Sequence, residues 1–306
     1  MARCVKILAM QASPHALAGR DAEGVSFARF AAEARAALAA HPDTDLLLFP
    51  ELHLFHPAAA DLAAANRALR AAAQPLDGPL DGSLDRALAA LAAELGVALL
   101  PGTLAEAGPE GQLFNTARVY GADGRVLATY RKIFPWRPSE PYDPGAEWVV
   151  FDLPGKGRLG LTICYDAWFP EATRQVAWLG AELVLNLVKT TTPDRAQELV
   201  LARANAIVNQ CFLVSLNCAG PVGMGQSLVV GPEGEVIAEA GVAPQAIAVT
   251  LDLDRAQHVR QHGTCGENRL WAQLRPGEAP IALPAYAGRM DPADWNPQTR
   301  LKDPQA

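Results

Sequence analysis

The stretch "RLGLTICYDAWFPEATRQVAWLGAELVLNLV", residues 158–188, reads as strand, helix, strand. "RLGLTIC" is an apolar run short enough for a strand. "FPEATRQVAWLG" carries Pro170 in its first turn and Gly180 at its end, the asymmetry of a helix. "AELVLNLV" is a continuous apolar run, as expected of a strand buried on both faces. The first strand ends on Cys164, followed by a tyrosine, an acid and aromatics. The thiol is therefore either one more core residue or a reactive centre.

The same alternation extends in both directions. "CVKILAM", "DLLLFPE" and "VALLPG" are strands, with a helix over 23–40 that places Phe27, Phe30, Ala34 and Leu38 on one face and another over 83–95 closed by Gly96. "FNTARVY" and "RVLATYRK" flank "GADG", a hairpin signal. "WVVFDL" precedes the opening stretch. A helix over 194–209, with Asp194 as its N-cap, the strands "CFLVSLN", "GQSLVVG", "EVIAEAG" and "AIAVTLDL", and a helix near 254–262 follow it. This mixture predicts an α/β sandwich of mixed sheets covered by helices. Periodicity leaves the strand order open.

Half of the 306 residues are apolar, enough for a large core. No linker or charge block divides residues 1–275, which read as one catalytic domain; residues 276–306 read as a proline-rich, non-periodic tail. The net charge of −7 argues against nucleic acid as partner. No apolar run approaches the length of a membrane span, and no signal peptide is visible, so a cytoplasmic protein is expected. Five cysteines (4, 164, 211, 218, 265) without CxxC spacing fit reduced thiols. His53 and His56 form no recognised ligand pattern, and no metal is expected.

Three strands end in reactive residues: Glu51, Lys132 and Cys164. Taken singly, each is more commonly a turn acid, a surface charge or a core thiol. Together they are the ingredients of nucleophilic acyl transfer: a thiol of ordinary pKa about 8.5 needs a base, and a tetrahedral intermediate needs donors for its oxyanion.

"FPEL", "YRKIFPW" and "ICYDAWFPE", in this order, resemble the Glu, Lys and Cys blocks of the carbon–nitrogen hydrolase (nitrilase) superfamily, over about residues 4–275. The resemblance implies a four-layer α-β-β-α sandwich paired into homo-oligomers, without metal or organic cofactor. It implies Glu51 as general base, Lys132 as oxyanion stabiliser, Cys164 as nucleophile and the Tyr165 backbone N–H as second oxyanion donor. "RKIFPWRPSEPYDPG" further resembles the aliphatic amidase and formamidase branch, which makes Glu140 a fourth catalytic carboxylate. "GQSLVVG" matches a block of those amidases, whereas Leu52 and a shorter 219–225 segment depart from them. Tyr165-Asp166 stands where nitrilases carry Trp-Glu, and Ala167 and Trp168 where carbamoyl hydrolases often carry arginine, with Arg174 the nearest other cation. The expected substrate is a small uncharged carboxamide, lined by Trp136, Trp168 and Thr190. A nitrilase, a carbamoyl hydrolase and a non-enzymatic binder on the same scaffold are the alternatives.

Overall fold

The computed structural model describes residues 2–15, 22–57, 61–76, 83–283 and 288–290. Strands β1 (Cys4–Gln11), β2 (Leu46–Leu48), β3 (Ala98–Leu100), β4 (Thr103–Ala107), β5 (Leu113–Tyr120), β6 (Val126–Arg131) and β13 (Gln245–Asp252) make one sheet, ordered β13-β1-β2-β3-β5-β4 with β6 on β5. Strands β7 (Val150–Leu153), β8 (Gly157–Ile163), β9 (Leu183–Val188), β10 (Phe212–Asn217), β11 (Leu228–Val230) and β12 (Val236–Glu239) make the second, ordered β12-β11-β10-β9-β8-β7.

The apolar runs are continuous because both faces of the central strands are covered. Ile7, Ala9, Leu46 and Leu48 face Leu159, Leu161, Ile163, Leu183 and Leu185 between the sheets. The alternate residues Leu8 and Leu47 face outward, against helices α1 (Ala22–Ala40) and α3 (Ser83–Leu95). On the second sheet Val184 and Leu213 meet α4 (Pro170–Trp178) and α5 (Arg195–Asn209) through Val176, Ala202 and Ala206. The result is the expected four layers, α-β-β-α.

The opening stretch folds as read: β8 and β9 pair in parallel, Leu159 opposite Leu183 and Ile163 opposite Leu187, with α4 as the crossover. Some local readings change. A helix α2 (Leu62–Ala72), capped by Asp61, lies in a segment for which the pattern gave no element. Asp194 stands at the N-cap of α5, but its side chain makes no cap bond; it accepts from the Thr192 hydroxyl instead. Cys4 is only half-buried, unlike the core cysteines 211 and 218. After α6 (Asp254–His262), short strands β14 (Ile281–Leu283) and β15 (Gly288–Met290) pair antiparallel within the segment read as tail. Residues 284–287 and 291–306 of that tail lie outside the described residues. Among the described residues no helix is long and apolar enough to cross a membrane.

Candidate active site

The site grows from the ends of strands in the two facing sheets. Beyond β2 the chain runs through Phe49-Pro50 to Glu51, which is buried. Gly102, at φ +95, lets the neighbouring segment pass close to this turn: a Cβ there would lie 2.1 Å from the Pro50 carbonyl oxygen. Glu51 Oε1 accepts from Asn115 Nδ2 of β5 at 2.7 Å and from Lys132 Nζ at 3.2 Å. Its Oε2 is buried and has no hydrogen-bond partner among the described residues.

Lys132 directly follows β6 and is fully buried. Its Nζ also donates to both oxygens of Glu140, at 2.9 and 2.8 Å. Burial alone would push the ammonium down, but Glu51, Cys164 and Glu140 carry its pKa well above the ordinary value. Glu140 is fixed in turn by the Trp136 backbone N–H at 2.8 Å; burial raises its pKa in spite of Lys132. The Pro-Gly of this motif has a packing role. Gly145 donates its N–H to the Lys132 carbonyl, and a Cβ on it would sit 2.2 Å from the Arg131 carbonyl oxygen.

Cys164 stands just past β8, at φ +46, a conformation costly for a residue with a Cβ. It opens a 3₁₀ turn over Cys164–Trp168. Desolvation of the thiol and the charge on Glu51 raise its pKa well above normal, against the opposing pull of Lys132. The resting sulfur is thus protonated, and attack needs a base.

The structure brings Glu51, Lys132 and Glu140 into direct contact and sets Cys164 within electrostatic range of all three. Thr190, two residues past β9, places its Oγ1 4.0 Å from Cys164 Sγ. Trp168, within the 3₁₀ turn, directs its indole N–H towards Glu198 at 3.5 Å. Trp136 is 39% exposed and stands at the rim. Arg174 is turned away from this cluster: its guanidinium lies over the Trp271 ring and donates to the Val208 carbonyl.

Several structural roles in the site were not read from the sequence, which marked Asp166 only as the acid of the Tyr165-Asp166 pair. Asn115 orients Glu51 from mid-strand. Asp166 serves as an anchor, taking the Tyr130 hydroxyl at 2.7 Å, the Ile163 N–H at 2.8 Å and the Phe134 N–H at 2.9 Å. Burial raises its pKa to about 6 although these donors oppose the shift. Glu198 of α5 lies beneath Thr190. Apart from the local bond from the Ile163 N–H to Asp166, these partners are visible only once the strands are adjacent, since the bonds span 8 to 64 residues of sequence.

One further cluster adjoins the Glu51 turn. Nε2 of His53 and of His15 stand 2.9 and 3.2 Å from the same Glu33 oxygen, and the three groups lie within 4.8 Å of one another, close enough for a metal ion. In a metal site the far ring nitrogens donate to carbonyl or carboxylate groups. Here both Nδ1 atoms are buried without a partner among the described residues. The arrangement fits a hydrogen-bonded clip better than a ligand set. Burial opposes it, yet the two imidazoles hold Glu33 down to a pKa of about 2.

The family model described as carbon-nitrogen hydrolase matches residues 10–261. The chain belongs to the carbon–nitrogen hydrolase family. Formamidase from Pseudomonas syringae pv. syringae (strain B728a) is 32% identical over 166 residues, which are 52% of this carbon–nitrogen hydrolase and 49% of the formamidase. Omega-amidase NIT2 of Homo sapiens is 34% identical over 188 residues, 56% of this chain and 67% of that protein. The match thus spans about half the length of the formamidase. Among solved structures, Saccharomyces cerevisiae Nit3, a member of branch 10 of the nitrilase superfamily, superposes with a TM-score of 0.73 at 26% identity, covering 85% of this chain and 94% of that one. A mutant of the amidase from Nesterenkonia sp. AN1 in complex with butyramide gives a TM-score of 0.64 at 28% identity, covering 85% and 95%.

Proposed function

We propose that this protein is a cysteine-dependent amidase that hydrolyses a small uncharged carboxamide to a carboxylic acid and ammonia through a thioester. The observation that carries the reading is the buried Lys132 ammonium held between Glu51 and Glu140, in electrostatic range of a protonated Cys164. In the proposed reaction Glu51, through its unpartnered Oε2, takes the thiol proton as Sγ attacks the carbonyl carbon. Lys132 and the Tyr165 N–H, in the first turn of the 3₁₀ segment where N–H groups lack intrahelical acceptors, stabilise the oxyanion. The intermediate collapses with cleavage of the C–N bond, and Glu51 returns the proton to the departing ammonia. Water, deprotonated by Glu51, then attacks the thioester; the C–S bond breaks and the sulfur regains its proton. Glu140 holds Lys132 and closes the charge balance around it. Trp136 and Trp168 line the acyl side. The reaction calls on no metal or organic cofactor.

The similarity to formamidases, to an omega-amidase and to an amidase in complex with butyramide supports amide rather than nitrile chemistry. An ammonia-release screen over amides graded in size and charge, each paired with its nitrile, tests the reading. Release from small neutral amides that disappears in Cys164→Ala is the expected result; release from nitriles alone, or none from any amide, overturns it.

A second reading has one observation in its favour. Lys189, beside Thr190, has no ion-pair partner among the described residues, and its charge helps lower the pKa of His56. A carboxamide bearing a distal carboxylate would give this ammonium a partner. The same screen separates the two, since that reading requires acidic amides to outrun neutral ones of equal length. We further propose a cytoplasmic homo-oligomer; sedimentation of the purified chain at working concentration checks the assembly.

A further inference from the structure

Proton bookkeeping at Thr190 says more about the substrate than the triad does. The Thr190 hydroxyl has one hydrogen and two lone pairs. Its Oγ1 lies 2.7 and 2.8 Å from the two carboxylate oxygens of Glu198, which is buried. An ionised carboxylate only accepts, so the hydroxyl hydrogen is committed to Glu198. Glu198 is itself held: Arg195 Nη1 donates to it at 3.0 Å, and Arg195 is pinned by Ser215 and the Gln226 carbonyl. Thr190 is fixed from the other side, its N–H donating to Asn217 Oδ1 at 2.9 Å and its carbonyl receiving the Met224 N–H at 2.9 Å. The hydroxyl therefore cannot turn round. What it presents to the space beside Cys164 Sγ, 4.0 Å away, is a pair of lone pairs made more basic by a charge-assisted bond.

A substrate poised over the sulfur has its carbonyl oxygen directed to Lys132, which belongs to the first sheet. Thr190 belongs to the second. The group on the carbonyl carbon that faces the second sheet meets an acceptor and gains only if it carries hydrogen. We propose that Thr190, primed by Glu198, accepts a hydrogen bond from the N–H of the scissile carboxamide, so that the site selects leaving groups bearing hydrogen over those without it. Thr190 is the specificity-determining contact and Glu198 its positioning residue. The inference rests on the amidase reading and requires a preference for amides over nitriles and esters, which offer no N–H.

The test uses the full-length protein and two substrates with one acyl group, a simple aliphatic amide and the corresponding aryl ester. Both pass through the same thioester, so kcat/KM compares the acylation steps alone. In Thr190→Val the amide-to-ester ratio of kcat/KM is expected to fall about 10-fold, the upper range for losing one hydrogen bond between neutral groups at the reacting centre. In Glu198→Gln the new amide can donate to Thr190 Oγ1 and occupy its lone pair, so the ratio falls as well. Thr190→Ser keeps the hydroxyl and keeps the ratio. Thermal melts identify a Glu198→Gln protein that has lost its fold through Arg195, and Thr190→Val then decides alone. A ratio within threefold of wild type in Thr190→Val, with amide and ester falling together, overturns the inference while the amidase reading stands. A wild-type protein inert to both substrates and never acylated at Cys164 overturns both.

Discussion

At the scale of single residues, the resting state of Cys164 has a measurable signature. Its thiol is held protonated by burial and by Glu51, whereas Cys265 is exposed to solvent. Peptide mapping after a short pulse of iodoacetamide at a pH of about 7.5 should find Cys265 alkylated at least about 10-fold faster than Cys164, because alkylation follows the thiolate fraction. The sign is fixed by the direction of the shift: a raised thiol pKa lowers that fraction at any pH below it. Equal rates at the two sites would show that the sulfur rests as a thiolate. Asn115→Ala removes the donor that fixes Glu51 Oε1; kcat is expected to drop about 10-fold with KM nearly unchanged, as for loss of one hydrogen bond to a working group. The contrast between these residues shows where sequence reading stops. Glu51, Lys132 and Cys164 stand at ends of apolar runs and announce themselves. Asn115 is embedded in the fully buried strand "LFNTARVY", where its amide could serve any of several neighbours. Glu198 is the single acid of α5, in a first turn where an acid is ordinary. Their partners are set by which strands and helices become adjacent, which periodicity does not state.

At the scale of elements, two anchors hold the turns that carry Glu51, Lys132 and Cys164. Asp166 ties the end of β8, strand β6 and the segment after Lys132 to one carboxylate. Asp166→Asn keeps the shape but turns one acceptor oxygen into a donor facing donors. It should destabilise by about 1–3 kcal/mol in chemical denaturation and lower kcat, because the ends bearing Cys164 and Lys132 lose their common reference. An unchanged denaturation midpoint would remove Asp166 from this role. The second anchor is the clip of Glu33 between His15 and His53. Its carboxyl is depressed from 4.5 to about 2 in the fold, so its contribution is complete above pH of about 4.5 and is lost as the pH falls towards 2. Glu33→Gln is expected to be less stable at neutral pH by about 1–3 kcal/mol, and the gap should close on acidification through that window. A gap independent of pH would assign the loss to packing. The first two helices differ in legibility. Phe30 and Leu38 of α1 lie on the stripe that the sequence displays. In α2 only Leu69 and Ala72 are buried, too few contacts to leave a periodic trace in an alanine-rich segment.

At the scale of the molecule, the two sheets share a core in which Leu161 and Leu185, neighbours on the second sheet, pack with Ile7 and Leu48 of the first. Leu161→Ala is expected to cost about 2–5 kcal/mol, read from denaturation curves, and to lower activity only in proportion to the unfolded fraction, since the residue touches the core and not the pocket. That helices would cover the sheets was legible because strands buried on both faces need cover on each; the four-layer stacking was implied by the resemblance of the Glu, Lys and Cys blocks and not by periodicity. The order of the strands was not legible, since hydrophobic alternation is the same whichever neighbour pairs. That order places Lys132 at the end of a strand of one sheet and Cys164 and Thr190 beyond strands of the other, so the candidate site is assembled only where the sheets face one another.

The Asp166 anchor also bears on what can be exchanged between relatives. Because one carboxylate receives donors from both segments that flank the pocket floor, neither segment is a portable cassette: a transplanted 133–145 loop must bring an N–H to the position of Phe134, and a transplanted 164–168 turn must bring the acid. The Trp136 side chain, exposed at the rim, carries no such obligation, although its backbone N–H must still hold Glu140. Divergence in acyl preference is therefore channelled to the rim, while the floor can change only by paired substitutions made together.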